Sequence, residues 1–220
     1  MIGVGIIGYP HQKEDTPLLM PLFRKHLQRL SDERLMACIQ HGDTPAFDAL
    51  YDRYSKRLLY YFYRMLGGDT EKAQDFLQDL FIKIVEDPHL FREGNRFSAW
   101  IFTVAHNMCK NEYRRQSVRK AVVNEPDIDT LPQPVDAYHP IEKRLDGRMF
   151  LQALLNELAQ LNAPQRTTFI LRHQENRSIK EISAILNCSE GTVKSRLHYT
   201  TRKLAQKLQA LHPQQDERPQ

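Results

Sequence analysis

The chain has 220 residues, 41% of them apolar and 26% charged, with a formal charge of +4, an ordinary globular balance for one large domain or two small ones. Nine glycines and twelve prolines are too few for a collagen-like or wholly disordered chain. No apolar run approaches the roughly 18 residues that a membrane helix needs, so no membrane insertion is expected. Three cysteines at 38, 109 and 188 form no disulfide framework. That usage fits a reducing compartment, and the expected location is cytoplasmic.

In chain order, residues 1–30 read as an accessory arm. Gly3, Gly5 and Gly8 spell G-x-G-x-x-G, which binds dinucleotides when a strand feeds the turn and a helix leaves it. Only Met1 and Ile2 precede Gly3, and Tyr9-Pro10 follows, so the match is fortuitous. Ser31 caps a predicted helix carrying Leu35, Met36 and Ile39 up to Gly42. Thr44-Pro45 opens a second, with proline suited to the first turn. Phe47, Leu50, Tyr51, Tyr54, Leu58 and Tyr61 keep its apolar period until Gly67-Gly68. Asp69 or Thr70 caps a third, with Ala73, Phe76, Leu77, Leu80, Phe81 and Ile84 on one face. A fourth runs from about Phe97 to Val118.

Charge divides the remainder of the chain. Residues 92–120 hold seven basic and two acidic residues, and residues 121–142 hold five acidic and no basic ones. Pro126, Pro132, Pro134 and Pro140 lie in that acidic stretch. Proline removes a backbone donor and fixes φ, so 121–146 is expected to be a flexible acidic linker, open to proteases in the free protein. Beyond it Leu151, Leu154, Leu155 and Leu158 mark another helix, and Pro164 starts the next. Strand-like alternation persists nowhere, and the expected fold is all-α, with two small helical domains at 31–120 and 147–211 and a tail at 212–220.

Residues 178–208 carry the chemistry. Ile179, Ile182, Ile185 and Leu186 give a short amphipathic helix, and Asn187-Cys188-Ser189 a capped turn. Val193, Leu197, Leu204, Leu208 and Leu211 then stripe a longer helix whose other side shows Lys194, Ser195, Arg196, His198, Tyr199 and Arg202. This is the layout of a helix-turn-helix, whose second helix enters a major groove. Lysine and arginine release phosphate counterions, and Ser, His and Tyr reach base edges. A helical hairpin with a solvated basic face is the plainer alternative. The net +6 of residues 162–208, nine basic against three acidic, favours DNA.

The stretch SIKEISAILNCSEGTVKSRLHYTTRKL resembles the fourth conserved region of sigma-70 family proteins. With the linker and the upstream segment RFSAWIFTVAHNMCKNEYRR, the chain is similar to the ECF (extracytoplasmic function) group. DTEKAQDFLQDLFIKIV resembles that group's helix for the polymerase clamp. The resemblance implies a non-catalytic sigma factor with no cofactor. Its partners would be core RNA polymerase, promoter DNA and an anti-sigma factor. It assigns the first domain to core binding and to recognition and melting of an upstream promoter element, through Trp100, Asn107, Lys110, Asn111, Arg114 and Arg115. Beside Ile101 and Phe102, however, Trp100 reads better as a core residue. Asp75, Gln78, Asp79 and Lys83 would face the clamp; without the resemblance they are a solvated helix face.

The rival is a helix-turn-helix activator or response regulator, which needs a sensory N-terminal domain. A phospho-receiver would be α/β, and no strands are predicted. Cys38-x-x-His41 and His106-x-x-Cys109 are possible zinc ligands. Each pair falls inside a helical pattern, where such spacing arises by chance, so no metal is expected. No catalytic motif of the H-E-x-x-H, G-x-S-x-G or G-x-x-x-x-G-K-[ST] type occurs.

Overall fold

The computed structural model describes residues 27–123 and 145–209. Most of the expected arm, nearly all of the linker, Leu211 and the tail lie outside them; of the arm, residues 27–30 are described, and Leu27 is buried in the first-half core. Eight α-helices and no strand occur among the described residues: α1 Asp32–Gln40, α2 Thr44–Met65, α3 Thr70–Glu86, α4 Phe97–Val123, α5 Leu145–Ala159, α6 Ala163–His173, α7 Ile179–Leu186 and α8 Glu190–Leu208. No described helix is long and apolar enough to cross a membrane.

Caps written in the sequence set these starts. Ser31 accepts from the Arg34 amide, Asp43 from Ala46, and Asp69 from Lys72. Each satisfies a donor that the first helical turn leaves open. Helix α2 opens at Thr44-Pro45 as expected, with Asp43 as its cap and the proline in the first turn.

The first half packs α1, α2, α3 and α4 around Leu35, Leu50, Leu58, Tyr61, Phe62, Leu80 and Phe102, all fully or almost fully buried. Aromatic edges lock it: Tyr61 meets Phe102 at 5.6 Å, and Tyr54 meets Phe97 at 5.3 Å, both T-shaped. Tyr51, expected in the apolar stripe, is 40% exposed. It sits on the flank of α2 that runs along α3 and meets Phe81 at 4.7 Å with the rings tilted by 56°.

The second half does not stand apart. Ile170, Leu171, Ile182, Ile185 and Val193 join the same buried cluster as the first-half core. A smaller cluster of Leu158, Leu161, Leu204 and Leu208 holds α5 to α8. Helix α7 therefore lies against α4, and α6 against the end of α2.

Candidate nucleic-acid interface

Helix α4 begins where the Phe97 amide donates to Glu33 Oε1 at 3.1 Å. Its N-terminal turns are buried through Phe97, Ile101, Phe102 and Ala105. Beyond them Asn107, Lys110, Asn111 and Arg114 are exposed, as is Arg115. Spacings of three, four and seven place the first four on one helix face. Trp100 lies seven residues before Asn107, on the same face. It is only half-buried, resting on Phe91 and Phe97 at 5.5 Å each. Its ring is thus part of the core wall with one side open at the top of the basic stripe.

His106, beside Asn107, is different. Its Nδ1 is buried with no hydrogen-bond partner among the described residues. Burial first, then the positive charges of Lys110 and Arg196, push its pKa down to about 4. A depressed histidine favours the folded state fully above its ordinary value of about 6.5 and loses that contribution as pH falls towards 4. Between pH 6.5 and 4 the protein should therefore lose no more than about 3 kcal/mol from this group. His106→Gln should remove that part of the pH dependence. Urea melts of both chains at stepped pH check it, and identical slopes would discard it.

The helix-turn-helix is built by local bonds. Ser178 and Glu181 form a reciprocal capping box on α7. Asn187 ends it at φ 48°, a left-handed turn that asparagine tolerates. The Cys188 amide closes on the Ser183 carbonyl, the Ser183 hydroxyl donates to the Cys188 carbonyl at 2.5 Å, and Ser189 caps α8 through Thr192. Helix α8 buries Val193, Thr200, Leu204 and Leu208. Lys194, Ser195, His198, Tyr199 and Arg202 stand exposed, with Tyr199 62% accessible. Arg196 departs from them. It is half-buried, its Nη1 sits 3.8 Å from Cys188 Sγ, and its charge reaches His106 across on α4.

On α3, Asp75, Gln78, Asp79 and Lys83 are all exposed. A feature missed in the sequence lies beside them. An open apolar groove runs between α2 and α3, lined by Phe47, Tyr51, Leu59, Gln78, Ile82 and Val85 among others. Ile82 is 42% and Val85 57% exposed. The signal was available: both are apolar yet fall off the Ala73–Leu77–Leu80–Ile84 stripe. No group of three or more potential metal ligands occurs among the described residues. His41 is exposed and pairs with the Ala37 carbonyl at 2.8 Å, while Cys109 is buried and its thiol is pushed up to about 12 by burial.

Family models match both halves: Sigma-70 region 2 over residues 50–119, and Sigma-70, region 4 over residues 151–204. Over 164 residues the chain is 35% identical to the ECF RNA polymerase sigma factor SigL of Mycobacterium tuberculosis, covering 74% of this chain and 89% of that one. It is 28% identical over 194 residues to the RNA polymerase sigma-H factor of Pseudomonas aeruginosa, covering 84% and 97%. The sigma factor RpoE of Bartonella quintana, solved in complex with the anti-sigma factor NepR, superposes with a TM-score of 0.62 at 26% identity, covering 74% of this chain and 96% of that one. CnrH, solved with the cytosolic domain of CnrY, gives 0.59 at 23% over 81% and 97%, a likeness of fold.

Proposed function

Because this chain belongs to the sigma-70 family, within its ECF group, we propose a division of labour among three of its surfaces. As a sigma factor it binds core RNA polymerase and directs promoter-specific initiation. The observation that carries this is the order of region 2 and region 4 in one chain. A response regulator would have a sensory domain where region 2 stands. The chain acts in the cytoplasm as a non-catalytic subunit, with an anti-sigma factor as its regulatory partner.

Helix α3 and the groove beside it bind the polymerase clamp. Asn107 receives an extruded base of the upstream element, and Lys110, Asn111, Arg114 and Arg115 hold that strand's phosphates. Separating strands costs a few kcal/mol per unstacked step, which a pocket for the flipped base offsets. Trp100 supports this surface from below. Helix α8 reads duplex with Lys194, Ser195, His198, Tyr199 and Arg202. Supporting this, the named groups on α3, α4 and α8, Trp100 apart, are solvent-exposed.

Run-off transcription with core polymerase over a genomic promoter library tests the whole reading and returns the promoter sequence. On that promoter, Asn107→Ala should lower open-complex formation by the equivalent of about 1–3 kcal/mol, with partial recovery on a pre-melted bubble. Duplex binding by the full chain should be unchanged. Lys194→Ala should instead weaken duplex binding and, as a phosphate contact, reduce the salt slope by about one. Normal opening by Asn107→Ala, or normal duplex binding by Lys194→Ala, removes the corresponding assignment.

A further inference from the structure

Glu112 is the only acidic residue of α4. It stands among Lys110, Arg114 and Arg115, which are exposed cations of the reading face, yet it is itself half-buried. Its Oε1 accepts from Lys72 Nζ at 2.5 Å and from Gln116 Nε2 at 3.1 Å. The Lys72 and Glu112 side chains are 31% and 14% exposed, so the pair is partly shielded from water. Lys72 comes from the first turn of α3, where Asp69 caps its amide. Each member is badly placed by itself. A lysine opposes the positive end of a helix dipole, and a carboxylate among phosphate-binding cations repels phosphate. Bonded across the two helices, the two charges cancel.

Arg115 is the third party. It lies three positions after Glu112, a spacing at which helical side chains meet. The Lys72 hydrogen bond first, then that of Gln116 and the charges of Lys72 and Arg115, hold the Glu112 carboxyl below its ordinary range. Among the described residues no carboxylate is in ion-pair contact with Arg115. Glu112 therefore has two cationic claimants, Lys72 on α3 and Arg115 on its own helix, and it is bonded to Lys72.

We propose that Lys72 is a positioning residue for strand binding, which engages Glu112 and so leaves Arg115 free for a phosphate. The proposal rests on the reading of α4 as the single-strand face. Lys72 itself touches no DNA. Without it, Glu112 turns along its own helix to Arg115 and occupies the donors that a phosphate needs, since an arginine fork binds carboxylate and phosphate in the same way. Lys72 lies on the helix that carries Asp75, Gln78, Asp79 and Lys83. The helix assigned to core polymerase thus also sets the charge of the helix assigned to the strand.

The test uses the full chain and a fluorescein-labelled single strand of about 20 thymidines, longer than one single-strand groove covers. Binding is followed by anisotropy over a salt series. Lys72→Ala exchanges a partly exposed lysine for the best helix former, so α3 keeps its fold. It should bind the strand roughly tenfold more weakly. The slope of log affinity against log salt should fall by about 0.7, the share of one phosphate on a single strand. Arg115→Ala should do the same, and Lys72→Ala added to it should cost nothing further. Lys72→Arg, which keeps the ion pair, should match the parent. Glu112→Gln alone should bind no more weakly than the parent, and added to Lys72→Ala it should restore the lost affinity and slope. That reversal separates positioning from a structural bridge, which is harmed equally when broken from either side. Parental binding by Lys72→Ala overturns the proposal. So does a loss that Glu112→Gln fails to restore, which would place Lys72 itself on a phosphate. Parental affinity and slope in Arg115→Ala overturn the assignment of Arg115 to the strand, and the positioning role with it.

Discussion

Exchanging Ile82 and Val85 together for glutamate should weaken binding to core RNA polymerase by at least about a hundredfold. Both side chains are substantially exposed, so neither glutamate is forced into the interior and α3 keeps its fold. Their stripe lies next to the one formed by Asp75, Asp79 and Lys83, and together with Gln78 they wall the groove against α2. An apolar groove edged by charged groups is the usual anatomy of a specific interface, with an apolar centre and a polar rim. Central apolar anchors are the residues whose loss costs 2 kcal/mol or more each, of which hundredfold weakening is about 2.7 kcal/mol. Replacing the polar wall residue and its charged neighbour, Gln78→Ala with Asp79→Lys, should weaken binding by a smaller factor, because neither is an apolar anchor and rim charges act mainly on association rate. Affinity pull-down with core polymerase, alongside circular dichroism of each variant, decides the matter. A folded double glutamate variant that retains core as the parent does would move the polymerase contact elsewhere.

Arg166→Ala should lower the unfolding free energy by about 1–3 kcal/mol, as leaving buried carbonyls without their donor does. Arg166 is 8% exposed and serves the ends of two helices. Its Nη1 donates to the carbonyls of Arg64 and Met65 at 3.4 and 3.2 Å, at the end of α2. Its Nη2 donates to Ala159 at 2.6 Å and Leu161 at 3.0 Å, at and just beyond the end of α5. Helix C-termini leave carbonyls unpaired and carry partial negative charge, so a single guanidinium satisfies and neutralises both. Alanine leaves the Arg64, Ala159 and Leu161 carbonyls without this donor, the Met65 carbonyl keeping the Tyr113 hydroxyl, and opens a void. Methionine in its place keeps most of the volume, so Arg166→Met isolates the polar loss and should be the less destabilised of the two. Urea unfolding of the three chains measures this. A change within about 0.5 kcal/mol for Arg166→Ala, the range of an ordinary surface substitution, would contradict the role.

These two expectations stand on opposite sides of what the sequence makes legible. The helix boundaries could be read because caps and apolar periods act over a few residues. Ser31, Asp69, Ser178 and Ser189 each bond an amide three positions on. The Asn187–Ser189 turn was likewise visible as a polar break between two apolar stripes. The exposed reading faces on α4 and α8 followed from the same periodicity, since a residue off the buried stripe of a helix is solvent-facing unless another element covers it.

That last condition is where sequence reading ended. Arg196 has the spacing of an exposed residue, but it is half-buried and turned towards Cys188. Tyr51 and Ile82 have apolar side chains, yet neighbouring helices leave them open. The Arg57 and Glu175 partners are separated by 118 positions, and Arg166 reaches the end of α2 across 101. Such pairs obey no local rule. The charge and shape of each partner are written in the chain, but which surfaces meet depends on how whole helices pack. The sequence alone determined that this protein is a set of capped helices with a basic helix-turn-helix at one end. Only the tertiary structure decided that its halves share one core, which arginines are withdrawn from solvent, and where an apolar groove remains open. Burial, the physical quantity behind all three, is a property of contacts between distant segments.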